Sequence, residues 1–258
     1  MKSHGYVSVT EVPGTGATGE QLAMLSTRYA FAGERCAGKR VLEVACGAGM
    51  GLGYLKTFAH RLVGGDCDLT LLEASRDSYH GRIPLVALDA HHLPFRDESF
   101  DVVILFEAIY YLRDVERFLD EARRILGRGG LLLLCSANRE WPGFNPSPFS
   151  VSYLSAADLA SLLHKKEFDV ELFTGFPAVG PGFRSWLVAG LRRLAVALHL
   201  IPTTMRGKKL LKRVFIGPLR SIPREVTPEL ADACPLVPIA EETVVPRYKV
   251  LYAVGRVR

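Results

Sequence analysis

Short apolar runs alternate with segments of helical periodicity through the first half of the chain. Each run is hydrophobic throughout rather than at every second position, which is typical of strands covered by helices on both faces of a sheet. Strands are predicted at residues 40–45, 61–65, 83–88, 100–106 and 131–135. Helices are predicted between them at residues 54–59, 69–78 and 115–126. This alternation predicts an α/β fold with a Rossmann-like, doubly wound and mostly parallel sheet.

The segments that flank this alternation divide the chain into three predicted parts. Residues 1–38 form an N-terminal cap, residues 39–140 form the core, and residues 141–258 form a largely helical elaboration with closing strands. Thr18 and Gln21 have the spacing of a capping box at the start of the cap helix. Further elements are a cap helix at 18–35, later helices at 155–164, 186–200 and 206–215, and strands at 168–173 and 248–254.

A glycine-rich turn at residues 46–53 follows the first core strand and leads into a helix. Glycines let the backbone approach a ligand closely, and the N-terminus of a helix offers unpaired N–H groups. If Gly47 and Gly49 are the first two glycines, Leu52 stands where a nicotinamide-binding turn needs a third glycine or alanine. The spacing therefore argues against a nicotinamide site.

Acidic residues stand at the ends of the first three core strands. Glu43 lies in the first strand, Asp66 follows the second, and Asp89 follows the third. The carboxyl ends of parallel strands converge on one crevice, so these side chains are expected at a common edge. An acid about 20 residues after a glycine turn is placed to bind ribose hydroxyls. The pattern therefore predicts a nucleoside-binding crevice at this edge.

At these residues the chain resembles class I S-adenosylmethionine-dependent methyltransferases of the methyltransferase type 11 domain family. Residues 41–49 (VLEVACGAG) are similar to the family's first motif, with Ala45 in place of its first glycine. Tyr111 stands in place of a frequent histidine at the end of the fourth strand. Three further segments are similar to the family. Residues 93–103 resemble its lead-in to the fourth strand, residues 106–112 the end of that strand, and residues 122–134 the helix, turn and strand that follow.

The resemblance implies that the core binds S-adenosylmethionine and that residues 141–258 form the acceptor side. It implies that Asp66 holds the ribose hydroxyls and that Asp89, with Ala90 beside it, contacts the adenine amino group. A crevice lined by carboxylates also suits the positive charge of the methyl donor. The expected cofactor-binding residues are Glu43, Ala45, Gly47, Gly49, Asp66, Cys67, Asp89, Ala90, Phe106 and Tyr111. No metal is expected.

Several side chains near these motifs have more than one interpretation. Glu107 could be the catalytic general base on an acceptor hydroxyl, or a cofactor-site or helix-capping carboxylate. Tyr29 could cover the methionine end of the donor, and Tyr110 and Tyr111 could line the acceptor pocket, or all three could pack in the core. His91 and His92 are neighbours that face different ways, so the surface or the adenine rim is expected rather than a metal site.

Positive charge is concentrated in one C-terminal segment. Residues 172–224 contain ten Lys or Arg and no Asp or Glu, so this segment carries a charge of +10. The whole chain has a net charge of +5, so the remaining residues together carry −5. These charges could be solvated on cover helices, or could meet a phosphorylated acceptor, a lipid-linked acceptor or an anionic membrane surface. The segment lacks interleaved aromatic residues for stacking on bases, so nucleic acid is not an expected partner.

The cysteines and the N-terminal sequence predict a soluble, cytoplasmic protein. The five cysteines are odd in number, scattered and without a CxxC pair, so neither a disulfide framework nor a zinc site is indicated. The N-terminus lacks the pattern of a signal peptide, and no apolar run reaches the ~20 residues that span a bilayer. Peripheral contact with a membrane stays open because of the basic segment.

Together these features predict methyl transfer from S-adenosylmethionine to a small-molecule acceptor, preferentially onto oxygen. The C-terminal half is loosely similar to methyltransferases among surface-polysaccharide enzymes, so a glycan or a lipid-linked sugar is considered beside a natural product. The loop at residues 141–148 (WPGFNPSP) is either part of the acceptor site or an ordinary rigid loop. The main alternative is a non-catalytic S-adenosylmethionine-binding module that docks on a membrane or a partner enzyme, and a dehydrogenase is a third.

Overall fold

A computed structural model describes residues 6–178 and 219–258 of the chain. Within these residues, two strands form a small separate ladder, and eight form the main sheet. The ladder pairs β1 (Gly16–Ala17) with β8 (Arg220–Ser221). The main sheet contains β2 (Arg40–Val44), β3 (Arg61–Asp66), β4 (Leu85–Ala87), β5 (Phe100–Phe106), β6 (Leu126–Ala137), β7 (Phe168–Pro177), β9 (Val237–Ile239) and β10 (Tyr248–Val257).

The main sheet has the strand order β4-β3-β2-β5-β6-β10-β7-β9. The five strands from β4 to β6 are parallel, whereas β10 runs antiparallel to β6 and β7, and β9 runs antiparallel to β7. Val44 pairs with Gly65 on one side and with Leu105 on the other, so β2, β3 and β5 end at the same edge. This arrangement confirms the predicted α/β fold with a mostly parallel sheet.

In the described part of the chain, five helices cover the sheet, and short 3-10 turns lie at Tyr6–Ser8, Glu34–Cys36 and Ile109–Tyr111. Neighbouring residues of a parallel strand enter different cores: Ile104 packs on the side of the first three helices and Leu105 on the side of the other two. Both faces of the sheet are therefore buried, which explains why the apolar runs do not alternate. The helices are α1 (Gly19–Gly33), α2 (Leu52–Lys56), α3 (Leu69–Tyr79), α4 (Val115–Ile125) and α5 (Ala156–Lys165).

Local sequence signals account for two of the helix starts. Thr18 and Gln21 form the predicted capping box of α1, with each side chain bonded to the other's backbone N–H. Ser155 and Asp158 do the same for α5. These caps satisfy N–H groups that the first turn of a helix leaves without partners.

The C-terminal part differs from the prediction of a helical elaboration. Apart from α5, its described regular elements are strands: β7 and β10 pair over nine positions and extend the sheet beyond β6. Val250 and Tyr252 are buried there against the same core as α1, so these positions belong to the sheet. The predicted basic helices at 186–200 and 206–215 lie outside the described residues. In the described ranges, no helix is long and apolar enough to cross a membrane.

Candidate functional site

The turn after β2 is built from backbone conformations that favour glycine. Ala45, Gly47 and Gly49 have φ angles of +56°, +56° and +75°. Glycine adopts this left-handed region without steric cost, whereas the Cβ of an L-residue is strained there. Alanine has the smallest such side chain, so Ala45 adopts the conformation of the family's first glycine despite its methyl group.

Helix α3 holds this turn in place. The hydroxyl of Tyr79 donates to the carbonyl of Gly49 at 2.7 Å and accepts from the N–H of Gly53 at 2.9 Å. A Cβ added at Gly49 would lie 2.1 Å from Oγ of Ser75, so helix and turn are in close contact. Tyr79 was missed from sequence because an aromatic residue at the end of an amphipathic helix has the pattern of core packing.

Asp66, at the end of β3, ties the glycine turn to the next loop. Its Oδ2 accepts from the N–H of Gly47 and its Oδ1 from the N–H of Asp68, both at 2.8 Å. Burial raises the pKa of Asp66, and these backbone hydrogen bonds act against that rise. Each carboxylate oxygen can accept more than one hydrogen bond, so this side chain keeps capacity for ligand hydroxyls.

Glu43 lies in β2 and is buried beneath the turn. Its Oε1 accepts from the hydroxyl of Tyr29 at 2.7 Å, while its buried Oε2 has no partner in the described structure. Burial raises the pKa of Glu43 to about 7, although Tyr29 and the charge of Arg28 lower it. Phe106 packs edge-on against Tyr29, with ring centroids 5.9 Å apart. The structure thus brings together Glu43 and Phe106, both expected at the site.

Arg28 is a charged residue of this site that sequence reasoning missed. It is only 6% exposed, forms an ion pair through Nη2 with Glu11, and has a buried Nε without a partner among the described residues. Burial acts to lower the pKa of Arg28, but the charges of Glu11 and Glu107 outweigh it and raise the pKa. The available signal was position, since an arginine one turn from Leu25 and Ala32 lies on the buried face of α1.

The unpaired atoms of Glu43 and Arg28 provide a test of whether S-adenosylmethionine fits. A buried carboxylate oxygen and a buried guanidinium N–H without partners are costly unless a ligand satisfies them. They match an ammonium and a carboxylate respectively, the two charged groups of an α-amino acid. The methionine end of S-adenosylmethionine carries both groups, so the side chains at this end of the crevice fit the cofactor.

The other end of the crevice lies between β3 and the loop after β4. Asp89 is exposed, accepts from the N–H of His91 at 2.9 Å and contacts its ring Nδ1 at 2.6 Å. Burial, then the charge of Asp66, raises the pKa of the Cys67 thiol to about 11, with a smaller contribution from Asp89. Cys67 is therefore near enough to Asp66 and Asp89 for their charges to act on it, and Ala90, next to Asp89 in the chain, is buried. The described residues contain no cluster suited to a metal ion.

Glu107 follows β5 and faces a second group of side chains. Its φ of +51° is unusual for a glutamate. The hydroxyl of Tyr110 donates to Oε2 at 2.9 Å, and Sγ of Cys135 lies 3.5 Å from Oε1. The ring of Tyr110 stacks on Tyr153, with centroids 4.4 Å apart. The carboxylate is therefore held at the carboxyl edge of the sheet in a half-buried, aromatic environment.

The loop at residues 141–148 packs on these aromatic residues. The hydroxyl of Tyr111 donates to Oγ of Ser147 at 2.8 Å, and the N–H of Ser147 donates to the hydroxyl of Tyr153 at 3.1 Å. Tyr111 is thus bonded to this loop, and its ring also contacts Tyr6 edge-on at 5.6 Å. A cofactor role for Tyr111 stays a prediction.

Comparison with known proteins identifies the region that contains the glycine turn and the strand-end carboxylates. Residues 42–134 match a family model described as a methyltransferase domain. A probable S-adenosylmethionine-dependent methyltransferase of Mycolicibacterium smegmatis is 38% identical over 152 residues, which cover 55% of this chain and 57% of the relative. A phthiotriol/phenolphthiotriol dimycocerosates methyltransferase of Mycobacterium ulcerans is 42% identical over 99 residues, covering 37% of this chain and 36% of the relative. These matches show that residues 42–134 form a methyltransferase domain and that its relatives include S-adenosylmethionine-dependent methyltransferases, as the sequence motifs predicted.

A solved structure extends the comparison to the fold of nearly the whole chain. An S-adenosylmethionine-dependent methyltransferase of Thermotoga maritima superposes with a TM-score of 0.55 at 19% identity, covering 93% of this chain and 94% of that one. At such low identity the similarity shows the fold alone. The curated relatives are matched over only about half of their length or less, so substrates and partners do not follow from them.

Proposed function

We propose that this chain, whose residues 42–134 form a methyltransferase domain, transfers a methyl group from S-adenosylmethionine to a hydroxyl of a small-molecule acceptor. The observation that carries the proposal is that two buried atoms on groups of opposite charge, Oε2 of Glu43 and Nε of Arg28, have no partner among the described residues. A nicotinamide cofactor has no α-amino acid to satisfy them. The non-catalytic alternative shares this donor site and differs only at the acceptor side.

The residues of the crevice have distinct roles in this proposal. Arg28 binds the donor's carboxylate and Glu43 its ammonium group, while Asp66 binds the ribose hydroxyls. Asp89 and Ala90 border the adenine. When bound, S-adenosylmethionine supplies a methyl group already activated on a positive sulfonium, so the protein's main tasks are alignment and exclusion of water.

Glu107 is the proposed general base. Its carboxylate is fixed by Tyr110 and Cys135, and it could accept the proton of an acceptor hydroxyl as the oxygen becomes methylated. The aromatic residues around it favour an acceptor with apolar groups beside the reacting hydroxyl.

The acceptor class is proposed to be lipid-like or lipid-linked. One relative is named for phthiotriol/phenolphthiotriol dimycocerosates, which makes such acceptors the first to test. The ten basic residues between 172 and 224 suit an anionic headgroup or membrane surface, although only Arg220 and Arg224 of them lie in the described part. A glycan or another natural product is the next class.

Release of S-adenosylhomocysteine tests this function directly. Purified protein and S-adenosylmethionine are incubated with separate pools of lipid extract, polysaccharide precursors and small hydroxylated compounds. We expect product with at least one pool, preferentially the lipid pool, and protection against heat by S-adenosylmethionine but not by NAD. Binding without turnover in any pool would support the non-catalytic module, and protection by NAD alone would refute the donor assignment.

Glu107→Gln separates catalysis from binding once an acceptor is found. Loss of a general base is expected to reduce turnover by about 100-fold or more, with binding of S-adenosylhomocysteine changed by less than about threefold. Glu98→Gln is the matched control, since Glu98 has a similar φ of +53° at a turn outside the crevice. If Glu107→Gln weakened binding as much as turnover, Glu107 would be a cofactor-site carboxylate instead.

A further inference from the structure

An N-terminal segment crosses the glycine turn before α1 begins. The N–H of Tyr6 donates to Oδ2 of Asp68 at 3.1 Å. A Cβ added at Gly47 would lie 3.0 Å from Cγ2 of Thr10, so Thr10 packs directly on the glycine turn. The next residue, Glu11, forms the ion pair with Arg28. The segment therefore places a carboxylate of the chain itself on the arginine of the donor site.

The Glu11 pair satisfies only part of the guanidinium. Arg40 shows the complete arrangement in this chain, with Nε and Nη2 donating to the two oxygens of Asp101 at 3.1 and 2.7 Å. Arg28 contacts Glu11 through Nη2, whereas its Nε is buried without a partner in the described ranges. The Arg28 side chain is 8% exposed but that of Glu11 is 35% exposed, so only the carboxylate has ready access to water.

We propose that Glu11 occupies the place of the donor's carboxylate and is exchanged for it when the donor binds. This inference rests on the proposed function and deepens it. A carboxylate that takes both Nε and Nη2 forms the stronger bidentate pair, and the one-pronged Glu11 pair gives way to it. Released Glu11 turns to water, and the segment that covers Gly47 loses its contact with Arg28.

Two consequences follow for ligand recognition. Arg28 determines selectivity for ligands that carry a carboxylate over those that lack one. Glu11 lowers the apparent affinity for carboxylate-bearing ligands, because part of the protein must give up an internal pair before binding. An empty donor site meanwhile avoids an unpaired buried charge, which would be costly.

Calorimetry with two ligands tests the exchange. S-adenosylhomocysteine has the amino-acid end, and 5′-methylthioadenosine has the same nucleoside without it. Glu11→Gln is expected to increase the affinity for S-adenosylhomocysteine by about 3–10-fold and to change the affinity for methylthioadenosine by less than about twofold. Arg28→Gln is expected to reduce the affinity for S-adenosylhomocysteine by about 10–100-fold and to leave the affinity for methylthioadenosine unchanged. Glu20→Gln, which breaks an ion pair with Lys249 on the surface, is the control and changes neither.

The outcomes are separable. The exchange would be overturned if Glu11→Gln reduced the affinity for S-adenosylhomocysteine, left it unchanged or changed the affinities for both ligands equally. Glu11 would then support Arg28 structurally or have no part in binding. If Arg28→Gln fails to fold by circular dichroism, Arg28→Lys replaces it and the Glu11→Gln result still decides. Failure of the wild-type protein to bind either ligand would instead refute the donor assignment itself.

Discussion

The hydroxyl of Tyr29 lies 2.7 Å from Oε1 of Glu43, and both side chains are buried. This contact joins the cap helix α1 to the central strand β2. It orients one carboxylate oxygen toward the helix, while the other has no partner among the described residues. Tyr29 therefore has a polar contact beside the proposed site in addition to its packing against Phe106.

Tyr29→Phe is expected to weaken both the fold and the donor site. Loss of the hydroxyl leaves a buried carboxylate oxygen without its donor, which costs about 1–3 kcal/mol in the free energy of unfolding. Because this hydrogen bond lowers the pKa of Glu43, its removal also raises that pKa further and reduces affinity for S-adenosylhomocysteine. Chemical denaturation and calorimetry measure the two effects. Tyr54→Phe, on α2, is the control, and equal losses of affinity in both variants would contradict the prediction.

Protonation of Glu43 links stability and donor binding to pH in opposite directions. Its folded pKa of about 7 lies above the ordinary 4.5, so the folded state holds the proton more tightly. The stability from this proton is fully present below pH 4.5 and is lost as pH rises through 7, by about 3 kcal/mol in all. Affinity for S-adenosylhomocysteine is expected to rise by about tenfold from pH 6 to pH 8, because the ammonium needs the ionised carboxylate.

Glu43→Gln isolates this effect. The variant is expected to lose the fall in stability between pH 5 and 8 and the rise in affinity with pH, measured by denaturation and calorimetry. Glu34→Gln, at an exposed position at the end of α1, should retain both trends. A wild-type protein that becomes more stable across this range would show that Glu43 is ionised throughout.

Sequence patterns sufficed where the signal was local. The capping box at Thr18 and Gln21, the apolar parallel strands and the glycine turn each depend on residues close together in the chain. The order of motifs also predicted the methyltransferase domain that residues 42–134 match, because the acid, turn and strand ends follow one another at fixed spacing. These features determine the edge of the sheet at which the crevice lies.

Contacts between distant residues were not predictable in the same way. Arg28 and Glu11 are paired through tertiary structure, and neither belongs to a motif. β6 begins at Leu126, directly after α4, whereas the sequence predicted a strand only from residue 131, after the glycines. The strand includes these glycines because its register relative to β5 shifts there, and Gly129 has a φ of +72°. The strands of the C-terminal part were underestimated for a related reason, since short edge strands such as β9 have a weak pattern of their own.

Alanine substitutions at Gly49 and Gly81 separate the energetic cost of steric overlap from the cost of a positive φ angle. Gly49 and Gly81 have similar φ angles of +75° and +78°, but only Gly49 has neighbours within 4 Å of an added Cβ. Gly81→Ala is therefore expected to cost about 1 kcal/mol of unfolding free energy, for conformation alone. Gly49→Ala should cost several kcal/mol, because the methyl would overlap Ser75 and displace the turn. Denaturant titration measures the difference, and equal costs would mean that α3 moves freely.

Asp66→Asn tests whether this aspartate binds the donor as well as the turn. The N–H groups of Gly47 and Asp68 bond to different oxygens of Asp66, and asparagine replaces one of these oxygens with an NH2 donor, so one of the two bonds is lost and about 1–3 kcal/mol of stability with it. A ribose role predicts a further loss, at least about tenfold in affinity for S-adenosylhomocysteine. Asp101→Asn is the control, since Asp101 also accepts a backbone N–H, from Arg40 at 2.8 Å, but lies at the opposite end of the strands. It should lower stability with affinity unchanged. If both variants bound the ligand equally well, Asp66 would serve the fold alone.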